Sequence, residues 1–130
     1  PFSITLSNDS YPFKFNNTFF GKYPAEMKVF QLGNTIFIGT PCDYSGELMP
    51  DVLKTAQNQH LNLIVTSFDG SYVGYITEDS RYDLNSYETR VMNWYGPQNG
   101  QYFQEIINSI LTKNAPVVKQ PDALQNQTEE

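Results

Sequence analysis

KVFQLGNTIFIGT, residues 28–40, runs directly into PCDYSGELMPDVLKTAQNQH, residues 41–60, and then LNLIVTSF, residues 61–68. This stretch decides the fold. Lys28–Leu32 and Thr35–Thr40 are β-rich runs separated by two residues, Gly33-Asn34. Such a two-residue connection matches the twist of paired strands, so a hairpin is predicted. Ile36-Phe37-Ile38 is apolar at consecutive positions, which predicts cover on both faces of the second strand. Leu48, Val52, Leu53 and Ala56 fall on one face of a helix that Ser45 could cap. Pro50 removes an interior hydrogen bond, so that helix either starts near Met49 or bends there. Leu61–Phe68 reads as a second buried strand. Strand, helix and strand in this order predict a parallel crossover, whose binding edge lies beyond the carboxyl ends of the strands.

Downstream of that edge lies DGSYVGYITEDSRYDLNSYETRVMNWYGP, residues 69–97, which holds five of the nine tyrosines and the single tryptophan, Trp94. Its acids are Asp69, Glu78, Asp79, Asp83 and Glu88. A phenol has a flat apolar body and a polar tip that donates, accepts or, as phenolate, ligates a metal. Two readings stand side by side: rings filling gaps in a core, or a wall of polar tips facing a ligand. Asp43 and the start of this stretch should meet on one rim, which favours a site. After Pro97, Tyr102, Phe103, Ile106, Ile107, Ile110 and Leu111 recur at helical spacing and predict an amphipathic helix packed on the sheet, ending near Lys113-Asn114.

Upstream, residues 1–25 scatter Phe2, Phe13, Phe15, Phe19 and Phe20 among Asn and Ser with no sustained period, and read as an irregular arm. Asn8-Asp9-Ser10 and Asn16-Asn17-Thr18 fit the N-glycosylation pattern, which is common by chance. The polar tail 116–130, with Pro116 and Pro121, reads as loose. The expected organisation is one α/β domain over 1–115 and a tail over 116–130. Its core is a hairpin plus a strand-helix-strand crossover in a mixed sheet with a C-terminal amphipathic helix.

The chain has 130 residues, a net charge of −6, 39% hydrophobic residues and 17% charged residues. A sequence pI near 4.6 argues against nucleic-acid binding, which needs a basic surface. No basic run exists to hold an anionic membrane, and no apolar run reaches membrane-spanning length. Few charges and many neutral polar residues suit a secreted, periplasmic or cell-surface protein. Cys42 is the only cysteine, so no internal disulfide forms; its thiol is either a buried small hydrophobe or a nucleophile. His60, in a polar link, reads as an exposed surface histidine. The chain starts at Pro1 rather than Met, so an upstream part is expected. The strand Ile36–Ile38 and the face Tyr102–Leu111 are expected to need cover from that part or from self-association.

From about Ala25 to Ile110 the chain resembles the last part of the catalytic domain of neutral ceramidases, zinc amidohydrolases that cleave the N-acyl bond of ceramide. Met27–Leu32, Gly33 and the apolar strand to Thr40 resemble the strand pair before the family's Pro-Gly-Glu-Phe-Thr motif, which reads Pro41-Cys42-Asp43-Tyr44-Ser45 here. Tyr72-Val73-Gly74-Tyr75-Ile76-Thr77 resembles the family's Tyr-x-x-Tyr-[Val/Ile]-Thr. Tyr82 and Tyr87-Glu88 stand at the family's offsets from Tyr75, and Tyr95-Gly96-Pro97 closes the pattern one residue later than usual.

The resemblance implies a carboxylate zinc ligand at Asp43, a tyrosine zinc ligand at Tyr75, and at Tyr87 a phenol that binds the substrate amide and its tetrahedral intermediate. Asp43 replaces the family's Glu and is one methylene shorter; Cys42 replaces its Gly. The family's two histidine ligands, serine nucleophile and substrate-binding arginine lie upstream of the matching region. The implied function is therefore the C-terminal part of a zinc amide hydrolase acting on ceramide or a related lipid amide, inactive alone. The alternative is a ceramidase-like binding module that has lost the zinc chemistry. A generic aromatic pocket for a sugar or peptide is a third reading, which the ordered motifs disfavour.

Overall fold

The computed structural model describes residues 2–5 and 25–113. Strands β1 (Phe2–Thr5), β2 (Glu26–Leu32), β3 (Thr35–Gly39) and β5 (Asn62–Thr66) form one mixed sheet in the order β1-β2-β3-β5. The hairpin β2–β3 is antiparallel with Leu32 opposite Thr35, as the Gly33-Asn34 connection predicts. Gly33 takes φ +60, the left-handed geometry that glycine adopts at no steric cost in a tight hairpin turn. β3 and β5 are parallel, joined by helix α1 (Met49–Asn58), so the crossover is present.

Ser45 accepts from the Glu47 amide and caps a short 3₁₀ turn, Gly46–Leu48, which leads into α1. Pro50 sits in the first turn of α1, where its missing N–H would have had no helical partner. Val52 and Ala56 are buried with Leu48, whereas Leu53 points outward, 37% exposed. The apolar face of α1 is thus narrower than its sequence suggests. Helix α3 (Asn99–Lys113) packs along α1 and buries Tyr102, Phe103, Ile107, Ile110 and Leu111. Gln104 donates to the Leu48 carbonyl at 3.2 Å and Asn108 to Asp51 at 2.8 Å, which fixes the pairing of the two helices. The face Tyr102–Leu111 therefore finds its cover within this chain, contrary to the expectation that it would need another.

The sheet behaves differently. Its inner face, with Met27, Val29, Ile36 and Ile38, is sealed under the helices. Each such side chain contributes about 1.5–3 kcal/mol on burial. The outer face is not sealed: Phe30 is 45% exposed and Ile64 42%, with Phe37 half-buried between them. The strand Ile36–Ile38 is thus covered on one face, and β5 alternates between exposed and half-buried positions instead of being buried throughout. Consecutive apolar residues signal two apolar faces, not two covered ones.

Phe2–Thr5, read as part of an irregular arm, forms an antiparallel strand on the free edge of β2. The rest of that arm, both glycosylation patterns and the tail 116–130 lie outside the described residues. Among the described residues, no helix is long and apolar enough to cross a membrane.

Candidate functional site

Beyond the carboxyl end of β3 the chain turns through Pro41-Cys42 and forms β4 (Asp43–Tyr44), which pairs in parallel with β6 (Tyr75–Ile76) in a separate two-stranded ladder. Asp43 lies directly opposite Tyr75. The Asp43 amide donates to Gly74 O at 3.0 Å and the Ser45 amide to Ile76 O at 3.0 Å. Each strand is too short to hold itself, so other contacts brace the pair. Thr40 donates twice to Thr66 O, from its amide at 2.8 Å and its hydroxyl at 2.9 Å. Val73 N donates to Pro41 O at 2.7 Å, and Tyr44 N to the Ser67 hydroxyl at 3.1 Å.

Tyr75 is clamped from behind. Its amide donates to Met92 O at 2.9 Å. The close approach requires Gly74, which has φ +82 and whose Cβ, if present, would run into the Met92 carbonyl and the Trp94 ring. Buried Asn99, at the start of α3, donates to Asn93 Oδ1 at 2.8 Å and reaches Tyr75 O at 3.5 Å. Asn93 in turn donates to the Thr77 hydroxyl at 3.1 Å and accepts from the Gly96 amide at 3.2 Å. This amide network welds the loop 92–96 to β6 and α3, and satisfies polar groups that burial would otherwise leave unpaired.

Tyr87 opens a one-turn helix, α2 (Tyr87–Arg90). Thr89 is buried and its hydroxyl donates to Leu84 O at 2.5 Å, while Arg90 donates to Asp83 O at 2.9 Å. These contacts present the Tyr87 ring outward, 56% exposed, edge-on to Tyr75 with centroids 6.1 Å apart. The three residues singled out as site residues, Asp43, Tyr75 and Tyr87, are thus brought together.

The electrostatics follow from this proximity. Hydrogen bonding to the Asp43 carboxylate first, and then its negative charge, raise the Tyr75 phenol above its usual value. Tyr72 is also raised, by desolvation first and then by Asp43, Tyr87 and Cys42. Tyr72 belongs to the same group, although the sequence assigns it no role. Cys42 faces away into the core, wholly buried, and burial pushes its thiol up to about 12. It is the small hydrophobe of the two alternatives, and its side chain does not crowd the rim.

Asp43 and Tyr75 offer two converging oxygen donors. Among the described residues, no group of three or more His, Cys, Asp or Glu side chains could hold a metal. His60 is exposed at the turn before β5, the opposite end of the parallel pair from Asp43. Zinc sites ordinarily use three or four protein ligands, so these two oxygen donors do not make one by themselves.

A second feature of the rim had no signal in the sequence. Phe68, just past β5, has φ +61 and is 60% exposed. It stacks on Tyr72 at 5.4 Å and 15°, and Tyr72 meets Trp94 edge-on at 5.5 Å. Backbone handedness at a phenylalanine cannot be read from its neighbours in sequence.

No protein-family model and no curated protein sequence matches the chain. Solved structures do match. The neutral ceramidase of Pseudomonas aeruginosa superposes over 77% of this chain with a TM-score of 0.60 and 16% identity. A ceramidase complexed with C2 superposes over 77% with a TM-score of 0.57 and 19% identity. The chain spans 17% and 16% of the length of those structures. The fold of this chain is that of a segment of a neutral ceramidase, in agreement with the resemblance carried by its motifs.

Proposed function

We propose that this chain is part of a ceramidase-like amide hydrolase, with Asp43 and Tyr75 on the metal side of the site and Tyr87 on the substrate side. The observation that carries this reading is the pairing of Asp43 with Tyr75 in one ladder position, with Tyr87 edge-on beside them. The likeness of the fold to neutral ceramidases supports it. The site is completed by polypeptide that supplies the remaining ligands and the nucleophile. The proposed substrate is ceramide or another lipid amide, and the proposed location is outside the cytoplasm.

In this reading Asp43 contributes a carboxylate oxygen, and Tyr75 a phenol oxygen once its proton has left. A zinc ion bound there would polarise an amide carbonyl and lower the pKa of a bound water. Tyr87, exposed beside Tyr75, would present its hydroxyl to the carbonyl oxygen of the scissile amide. It donates a hydrogen bond that strengthens as negative charge develops on that oxygen. Asp43 and Tyr75, directly opposite in the ladder, bring their two oxygens to a shared position.

The test is hydrolysis of an N-acyl sphingosine by the complete enzyme carrying Tyr87→Phe, with Tyr82→Phe as control. Losing one oxyanion donor costs on the order of a hundred- to a thousandfold in kcat. Tyr82 is half-buried and is assigned to packing, so its substitution should change little. Equal, small effects of the two would refute the assignment. A second reading, a binding module without catalysis, is favoured by the replacement of Glu by the shorter Asp43. Metal content of the complete protein, measured by elemental analysis, separates the two readings.

A further inference from the structure

Phe68 is the least economical residue on the rim. A left-handed backbone disfavours any bulky side chain and is natural to glycine. The conformation is enforced from both sides: Phe68 N donates to Cys42 O at 3.1 Å and Asp69 N to Thr40 O at 2.9 Å. A glycine would make the same two bonds without strain. The ring does not repay the strain by burial, because it remains 60% exposed. Its described ring contact is the stack on Tyr72, whose far side is braced edge-on by Trp94. Phe68, Gly70, Ser71 and Tyr72 line an open depression of about 530 Å³. The depression adjoins the candidate site through the bond to Cys42 O, one residue before Asp43.

We propose that the Phe68–Tyr72 ledge is the seat of the unbranched hydrocarbon chain of the substrate, laid across two stacked rings and leading its amide to Asp43, Tyr75 and Tyr87. The inference rests on the amide-hydrolase reading and adds the residues that select the substrate's tail. A sugar would need several convergent hydrogen-bonding groups, and of the two side-chain hydroxyls in this lining, Ser71 and Tyr72, that of Ser71 is buried. A flat, open, aromatic surface suits a flexible chain, which is held by contact area alone.

The experiment uses the full 130-residue chain and two ligand series, N-acyl ethanolamines and n-alkanols with four, six and eight carbons in the chain. Trp94, the single tryptophan and in contact with Tyr72, reports binding by its fluorescence. Affinity should rise with chain length by up to roughly fourfold per methylene. In Phe68→Ala and Phe68→Gly that rise should flatten severalfold, while Phe68→Gly should raise the thermal midpoint by relieving the backbone. A chain-length dependence unchanged in both variants would overturn the proposal. So would a lowered midpoint in Phe68→Gly, or the absence of any chain-length dependence in the native chain. The two readings fail separately. If both series depend on Phe68 but Tyr87→Phe leaves kcat of the complete enzyme unchanged, the ledge stands and the amide assignment falls. If Tyr87→Phe lowers that kcat and Phe68 does not matter to chain-length dependence, the amide assignment stands and the ledge falls.

Discussion

Asp43 and Tyr75 come from either side of the α1–β5 crossover and meet as opposite residues of one parallel ladder. Because hydrogen bonding to Asp43 and then its charge are the largest causes of the raised Tyr75 pKa, removing the charge should reverse it. In Asp43→Asn the Tyr75 phenol should titrate at a lower pH than in the native chain, followed by ¹³C-tyrosine NMR. An unchanged Tyr75 titration would mean that the two groups do not meet in solution.

Gly74→Ala should be among the most damaging single substitutions in the chain. The added methyl meets both the Met92 carbonyl and the Trp94 ring, at a backbone angle of φ +82 that alanine disfavours. A loss of about 2–4 kcal/mol is expected from strain and the displaced Tyr75–Met92 bond. Urea unfolding gives the value. Gly46→Ala, where the new methyl meets nothing within 4 Å, is the control and should stay within about 0.5 kcal/mol.

Alkaline pH should destabilise the fold. Burial raises the Cys42 thiol from 9.0 to about 12, and burial raises Tyr44 and Tyr95 as well. The folded state holds these protons to higher pH than the unfolded chain does. Stability is therefore full below about pH 9 and is lost as pH rises toward 12. Cys42 alone accounts for at most about 4 kcal/mol at the top of that window. Cys42→Ala should flatten the fall of the urea midpoint between pH 9 and 11, and an identical slope in both proteins would refute this account.

The outer face of the sheet should drive association. Phe30, Phe37 and Ile64 are directly opposite one another across β2, β3 and β5, and form an apolar row with two of its three members largely exposed. Phe30→Glu with Ile64→Glu should give a monomer by sedimentation equilibrium and abolish binding of a hydrophobic dye, at small cost in stability. If the native chain is already a clean monomer that binds no dye, this face needs no partner.

Much of the fold was legible because local chemistry and tertiary packing agree there. Gly33-Asn34 permits little but a hairpin, and the spacing of Tyr102 to Leu111 marks the buried stripe of α3. Leu53 was misplaced because period 3.6 marks a stripe but not its width. The open outer face was missed because apolar character does not reveal whether a neighbour is present. The proximity of Asp43, Tyr75 and Tyr87 was legible through the order of motifs, whereas no periodicity could reveal strands as short as β4 and β6. Phe68 was illegible because its significance lies in a dihedral angle imposed by bonds to the β3–β4 connection.

The site's two oxygen donors share one rung of a ladder only two residues deep. Neighbouring strands sit about 4.8 Å apart, so the backbone separation of the donors is quantised, not adjustable by degrees. A slip of one residue would not loosen the site; it would replace Tyr75 by Gly74 or Ile76 and erase it. The dial left at this rung is the length of the side chains it carries. Asp43, one methylene shorter than the glutamate of the family it resembles, is a single click of that dial.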